Sequence, residues 1–497
     1  MVVQLILSIL ILSILQNSLP VKFLQSLQNL KNFDEAAFLK VHQSGEQVVS
    51  IRCNPAKIKA DQLFFGNEIS KEPIQWSSQG FYLSQRPSFT TDPIFHAGAY
   101  YVQEASSMFL EEVLKQITDL QKPLKVLDLC AAPGGKSTLL QSLINDKSLL
   151  ISNEIIKGRA SILAENITKW GAENVIVTNN DPKDFERLKN YFDVIVVDAP
   201  CSGSGLFRKD NDAITEWSEQ NVQMCSERQQ KILTDVLPAL KDGGKLISER
   251  QQKILTDVLP ALKDGGKLIY STCSYAEIED ESIVDWLTGD KTFKSLQINV
   301  PANWNIVETM SPQQNGYGYR FYPDKLKGEG FFIAAFIKGE AAEQEWLTDK
   351  YKSKSERLVV KEIDNLRPYL KDTENYFFIK QKEEVIAMPL HLEFDLATIQ
   401  FALYIKKAGV KLGSIIRNEL IPDHELALSA LLHLNVPRIE VDRDTALQYL
   451  RRQDFKIITN LRGWVLITHQ QLPLGWIKIL PNRINNYYPK EWRIFNK

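Results

Sequence analysis

The chain has 497 residues, 44% of them hydrophobic and 24% charged, a composition that excludes a disordered polypeptide and leaves room for about three domains. Its formal net charge of −2 is unevenly spread: residues 401–497 hold fifteen Lys or Arg against eight Asp or Glu, which hints at a polyanion partner but equally suits a solvated basic face. The five cysteines, Cys53, Cys130, Cys201, Cys225 and Cys273, lack Cys-x-x-Cys spacing and are odd in number, which argues against structural zinc, so no metal is expected, and against a disulfide framework, and fits a reducing cytoplasm.

Residues 1–19 read as an apolar leader. It is too short for a bilayer span, which needs about 20 apolar residues, and it lacks the basic start and small-residue cleavage site of a signal peptide. We expect no function and no membrane association from it. A small α+β domain is expected over 20–95, with helices around Phe23–Leu30 and Glu35–His42 and a strand in the alternating stretch Val48–Pro55. On the residues alone, Arg52 and Lys57 read there as plain surface charges. Apolar Met108, Leu110, Val113, Leu114 and Ile117 then recur at helical spacing.

From there strands and helices alternate, the signal for a parallel, doubly wound α/β sheet. Strands are expected at 124–128, 149–153, 174–178, 192–197 and 266–271, with 331–337 as an antiparallel last strand. The first strand runs into Cys130-Ala131-Ala132-Pro133-Gly134-Gly135-Lys136, a glycine turn that opens a helix, so its backbone can approach a small ligand closely. A Walker phosphate loop would need glycine where Cys130 stands, and the Gly-x-Gly-x-x-Gly of a dinucleotide fold is missing. What remains is the nucleoside-binding turn of an S-adenosylmethionine (SAM) methyltransferase of Rossmann-like fold. Glu154, at the end of the second strand, is placed for the ribose hydroxyls, and Asp181, at the end of the third, for the adenine amino group.

The fourth strand delivers Asp198-Ala-Pro-Cys201 and the fifth delivers Ser271-Thr-Cys273. Chemistry in such a sheet gathers beyond the strand carboxyl ends, and two cysteines there suit methylation of cytosine. Carbon 5 of the ring becomes nucleophilic only after a thiolate adds to carbon 6, and Asp198 is suited to ring N3, where the incoming electrons are absorbed. For Cys53, Cys130 and Cys225 a small core residue is the better reading.

The wording of 130–136, the Pro200-Cys201 and Thr272-Cys273 pairs, Ser50–Lys57 and Phe321–Phe332 resembles the NOL1/NOP2/Sun-type RNA cytosine-5 methyltransferases, over roughly 20–497; Asp324 stands where that family usually has His. The resemblance implies that Cys273 is the nucleophile and that Cys201 assists release. It places Cys130, Ala131, Ala132, Pro133, Gly134, Gly135, Lys136, Glu154, Asp181 and Asp198 at the cofactor. It further implies a methyltransferase domain over 96–340, a linker and small domain over 341–410, and a PUA-like RNA-binding domain over 411–497, as in the bacterial 16S rRNA methyltransferase F group. The expected substrate is small-subunit rRNA, free or in the ribosomal subunit, and the expected form is a monomer that acts on no DNA. tRNA methylation and a catalytically silent RNA-binding factor are the alternatives.

One feature falls outside the family pattern. Residues 226–247 recur letter for letter at 248–269. Two copies do not make a solenoid, which needs at least about three repeats. Only the second copy runs directly into Tyr270-Ser-Thr-Cys273, so it should supply the fifth strand, with the first copy a surplus excursion at the periphery.

Overall fold

A computed structural model of the chain describes residues 19–220, 222, 258–289, 291–339 and 356–495. All of the apolar leader but Leu19, the whole first copy of the repeat and Cys225 lie outside these residues. The chain divides into two compact units, one of Met1–Val49, Glu104–Thr118 and Lys189–Ala342, the other of Ser50–Gln103, Asp119–Leu188 and Glu343–Lys497.

In chain order, helices α1 (Val21–Leu27) and α2 (Glu35–Gln43) come first, the second capped by the Asp34 side chain, which accepts from the Ala37 N–H. They bury Phe23, Leu27 and Phe38 with Phe207, Tyr275 and Tyr322 of the same unit. Strands β1 (Val49–Cys53), β2 (Lys71–Pro73), β3 (Gly80–Leu83) and β4 (Tyr100–Val102) form a small sheet in the order β2-β3-β1-β4. Within the segment 20–95 the helices belong to the first unit and all but the first residue of the sheet to the second. Helix α3 (Leu110–Ile117) follows in the first unit, burying Leu110, Val113 and Leu114.

The second unit continues with β5 (Lys125–Asp128), α4 (Gly135–Leu143), β6 (Leu149–Asn153), α5 (Lys157–Trp170) and β7 (Val175–Thr178). The three strands pair in parallel in the order β5-β6-β7. β6 and β7 are buried at every residue, as strands covered on both faces must be, which is why each opens on three consecutive apolar residues.

The first unit holds β8 (Phe192–Asp198), β9 (Leu262–Thr272), α6 (Glu281–Gly289), β10 (Phe293–Leu296), β11 (Val307–Met310), β12 (Tyr317–Phe321) and β13 (Phe331–Lys338). β9 lies between β8, which it pairs in parallel with Asp198 opposite Ser271, and β13, which it pairs antiparallel with Ala334 opposite Tyr270. All six expected strands are present, the last antiparallel as expected. β9 is built from the second copy of the repeat, as contiguity with Cys273 requires.

In the rest of the second unit, β14 (Glu356–Arg357), β15 (Tyr376–Gln381), β16 (Glu384–Pro389), β18 (Val410–Ile416) and β19 (Glu419–Pro422) form one sheet, with α7 (Glu393–Ala402) and β17 (Ile405–Ala408) between β16 and β18. β17 leaves that sheet and pairs antiparallel with β7, Ile405 opposite Thr178. Helices α8 (His424–Leu428) and α9 (Arg443–Leu450) accompany a last sheet of β20 (Arg438–Glu440), β21 (Gly463–His469), β22 (Leu472–Leu480) and β23 (Arg483–Asn486). Leu366, Phe378, Val385, Leu412, Leu466 and Trp476 share one core. That core straddles the boundary expected at 410, which falls at the start of β18 rather than in a linker. Trp476 is wholly buried, its indole N–H donating to the Asp423 carbonyl, and Trp464 packs against the same core.

Deleting 226–247 yields the same protein as deleting 248–269, and it keeps every residue that pairs across β8, β9 and β13. The shortened chain should give an unchanged far-ultraviolet circular dichroism spectrum and a Tm within about 3 °C of the full chain or above it. A chain that no longer folds would mean that the repeat is a structural necessity.

Candidate active site

The cofactor residues expected from the sequence lie in the second unit, Asp198 excepted. The turn after β5 carries Ala131 and Ala132, both buried, then a cis Ala132-Pro133 bond and Gly134 at φ +117° capping α4. A side chain at Gly134 would be strained by that φ and would press on Leu163 Cδ1 at 3.2 Å. Cys130 and Lys136 are half-buried and Pro133 is exposed. Ser137, one turn into α4, donates to the Asp128 carboxylate at 2.7 Å.

The ends of the three parallel strands are stitched by one amide. Asn153 donates to the Leu129 and Asn180 carbonyls at 3.2 and 3.0 Å and accepts from the Thr178 hydroxyl and the Asn180 N–H. Beside it Glu154 is buried, its carboxylate accepting from the Ile156 N–H at 2.9 Å and lying 3.5 Å from Arg159. Arg159 also donates to the Ala132 carbonyl at 2.8 Å, so one guanidinium ties the glycine turn to the acid. Asp181 is exposed and accepts from the Lys183 N–H. A glycine cradle before a helix N-terminus, flanked by a buried carboxylate at the next strand end, fits the nucleoside and methionine parts of SAM.

Arg52 and Lys57 are not surface charges. Arg52 is 1% exposed; it donates to Gln103, to the Thr138 hydroxyl at 2.6 Å and to Ser142, and lies 4.6 Å over the Trp170 ring. It therefore braces α4 just behind the glycine turn. The Lys57 ammonium donates to the carbonyls of Ala97 and Lys169, both at 2.6 Å, and burial lowers its pKa to about 7. Single charged residues in a strand carry no sign of burial, because their partners lie 40 to 112 residues away.

In the first unit Asp198, Cys201 and Cys273 converge. Ser271 donates to the Asp198 carboxylate at 2.8 Å, and the sulfurs of Cys201 and Cys273 are 3.1 Å apart. The hydrogen bond to Cys273 pushes the Cys201 thiol well above its ordinary pKa; burial and the negative charge of Glu279 add to it. Gly205 explains how the loops close. Its N–H donates to the Cys273 carbonyl at 2.8 Å and its carbonyl accepts from Gly330 N–H at 3.1 Å, and a Cβ there would meet the Gly330 oxygen at 2.4 Å. The glycine is needed for backbone packing in the loop. Among the described residues no cluster could hold a metal ion.

Behind the cysteines sits a layer the sequence did not mark. Glu279 accepts from Ser202 and Ser274. Arg320, 1% exposed, donates to Glu281 and to the Tyr275 carbonyl and pairs with Asp280 at 3.1 Å. Glu329, also buried, lies 3.7 Å from Arg208 and 3.8 Å from Lys209. Burial raises its pKa to about 7 against the pull of those two cations.

The chain matches the family described as 16S rRNA methyltransferase RsmB/F over residues 115–248 and 245–337, the N-terminal domain of 16S rRNA methyltransferase RsmF over 19–105, and the methyltransferase RsmF PUA domain over 436–494. The ribosomal RNA small subunit methyltransferase F of Shewanella woodyi is 30% identical over 461 residues, 89% of this chain and 90% of that one. The protein of the same name from Shigella boydii is 28% identical, covering 89% of each. The crystal structure of PH0851 shares the fold with a TM-score of 0.53 at 21% identity, over 65% of this chain and 67% of that one.

Arg52→Lys keeps the charge but loses the planar fork that reaches Gln103 and Thr138 together; it should cost about 2–4 kcal/mol of stability in denaturant titration and weaken SAM binding in calorimetry. For Glu329 the folded pKa lies above the unfolded one, so its contribution is fully present below the ordinary carboxyl range and is lost as pH rises through about 7. Glu329→Gln should therefore raise Tm at pH 8 by about 2 °C and flatten the change in Tm between pH 5 and pH 8.

Proposed function

This chain belongs to the RsmB/F family of 16S rRNA methyltransferases, and from that premise we propose how its own residues serve the reaction. It is a SAM-dependent enzyme that forms 5-methylcytosine in 16S rRNA. SAM supplies a methyl group on a sulfonium. The glycine turn 130–136, Glu154 and Asp181 would hold the cofactor, with Glu154 suited to its ribose hydroxyls and Asp181 to its adenine amino group.

Cys273 adds as a thiolate to carbon 6 of the target cytosine, while the electrons displaced from the 5,6 double bond pass into the ring towards N3, which takes a proton held between it and Asp198. Carbon 5 then takes the methyl. Release requires that water take the carbon 5 proton while the carbon 6 to sulfur bond breaks and its electron pair returns to Cys273; Cys201, in hydrogen-bond contact with that sulfur, assists its departure. The observation that carries the assignment is the 3.1 Å approach of the two sulfurs, with Cys201 the one whose pKa is driven up. The contact with Cys273 and burial keep the proton on Cys201 at neutral pH. The base has to leave its stack to reach the sulfur. The basic C-terminal residues and the PUA domain support RNA binding there. No helix among the described residues is long and apolar enough to cross a membrane, and we take the protein to act in the cytoplasm as a monomer, on RNA and not on DNA.

Methyl-labelled SAM should label cytosine carbon 5 in 16S rRNA or in assembled small subunits, and not in tRNA. Cys273→Ala should abolish the label, and Cys201→Ala should leave a covalent protein–RNA adduct that persists in denaturing gels. Transfer that survives Cys273→Ala would end the assignment.

A further inference from the structure

We propose that Glu279 is a positioning residue that locks the two cysteine-bearing loops together and so sets the separation of the reacting sulfurs. Its side chain is 2% exposed. One carboxylate oxygen accepts from the Ser202 N–H at 3.0 Å; the other accepts from the Ser202 hydroxyl at 2.7 Å and from the Ser274 hydroxyl. Ser202 and Ser274 directly follow Cys201 and Cys273, and their own oxygens are 3.1 Å apart, the same separation as the sulfurs beside them. The two Cys-Ser steps thus run side by side, with the carboxylate joining their serines.

The clamp is fixed at its base. The Glu279 carbonyl accepts from the buried Tyr270 hydroxyl at 2.6 Å, which ties it to β9, the strand that delivers Cys273. The Ser274 oxygen in turn accepts from the Ala276 N–H at 3.0 Å, closing the short loop between Cys273 and Glu279. Three donors meet one carboxylate, and an ionised carboxylate is the side chain that accepts from all of them with no proton of its own in the way. A glutamine offers one oxygen and turns an NH₂ towards a hydroxyl that must then reverse. The negative charge has a second effect, because it is among the groups that hold the Cys201 proton in place. Glu279 reaches both cysteines through the serines that follow them.

This assignment rests on the reading of Cys201 and Cys273 as the reacting pair, but its test needs neither RNA nor SAM. The full-length protein is treated with diamide, which takes up two hydrogens as the two thiols join, and the Cys201–Cys273 disulfide is followed by peptide mapping. Glu279→Ala should slow its formation about tenfold or more, and Glu279→Gln by less. In Glu279→Gln, alkylation of Cys201 by iodoacetamide should begin at lower pH than in the unaltered chain. In turnover, kcat should fall about 10- to 100-fold in Glu279→Ala, while SAM affinity by calorimetry stays within about twofold. A merely structural glutamate would lower Tm without moving the alkylation profile. Unchanged cross-linking and alkylation in folded, SAM-binding Glu279→Ala overturn the clamp. Should that variant fail to fold, Glu279→Gln and the Ser202→Ala/Ser274→Ala pair decide it, and wild-type cross-linking rates in both overturn it. Methyl transfer that survives Cys273→Ala would instead remove the reading of the cysteines and leave the cross-linking result standing.

Discussion

The register of β9 is the constraint on which the site depends. This strand is paired on both sides, parallel to β8 and antiparallel to β13, and its last three residues are buried. Ser271 donates to Asp198, Thr272 donates to Asp280 at 2.6 Å, and Tyr270 donates to the Glu279 carbonyl. Because side chains alternate along a strand, a slip of one residue would turn all three contacts to the wrong face and carry Cys273 away from Cys201. The repeat makes this constraint matter more than usual. Both copies offer the same Gly-Gly-Lys-Leu-Ile run, but after the first copy the next residues are Ser248, Glu249 and Arg250. Seating Glu249 and Arg250 where Ser271 and Thr272 lie would bury two charges among partners that suit hydroxyls, at a cost of several kcal/mol. Three residues outside the repeat thus select which copy enters the sheet.

The loop after Cys273 is held by ions as well as by strands. Arg320 on β12 bridges Asp280 and Glu281 and takes the Tyr275 carbonyl. Burial drives the Asp280 pKa well up while Arg320 pulls it down, so the carboxyl is held between desolvation and an ion pair. Buried pairs of this kind add little net stability, since desolvation offsets most of the attraction, but a misplaced partner is severely penalised. Their effect is to leave the segment from Cys273 to Glu281 one acceptable path.

Much of this was legible in the sequence because local rules carry it. The strands at 124–128, 149–153 and 192–197 are apolar runs ended by a glycine turn or an acid, and the two cysteines stand just beyond the ends of their strands. Where the determinants are distant in sequence, the reading failed. Arg52 and Lys57 passed for surface charges because Thr138 and Lys169, which receive them, lie far along the chain. Glu279, in the acidic run Glu277-Ile-Glu-Asp-Glu281, has the look of a solvated helix start; only the return of β8 beside β9 brings Ser202 to join the nearby Ser274 and make it a clamp. Trp476 is core throughout and Trp464 packs against it, so neither is presented for stacking on a base.

The pairing of β17 with β7 has a consequence for how the protein is made. β7 emerges from the ribosome as the edge of the parallel group, with a free row of N–H and C=O groups on its outer side, and the strand that covers that row is encoded more than two hundred residues later. At about 5–20 residues per second, translation leaves that edge open for roughly 10 to 50 s. An uncovered edge is a template for pairing with other chains. The nascent polypeptide therefore passes through a window in which its cofactor-binding strands exist but are not sealed, and the window closes when the C-terminal part arrives.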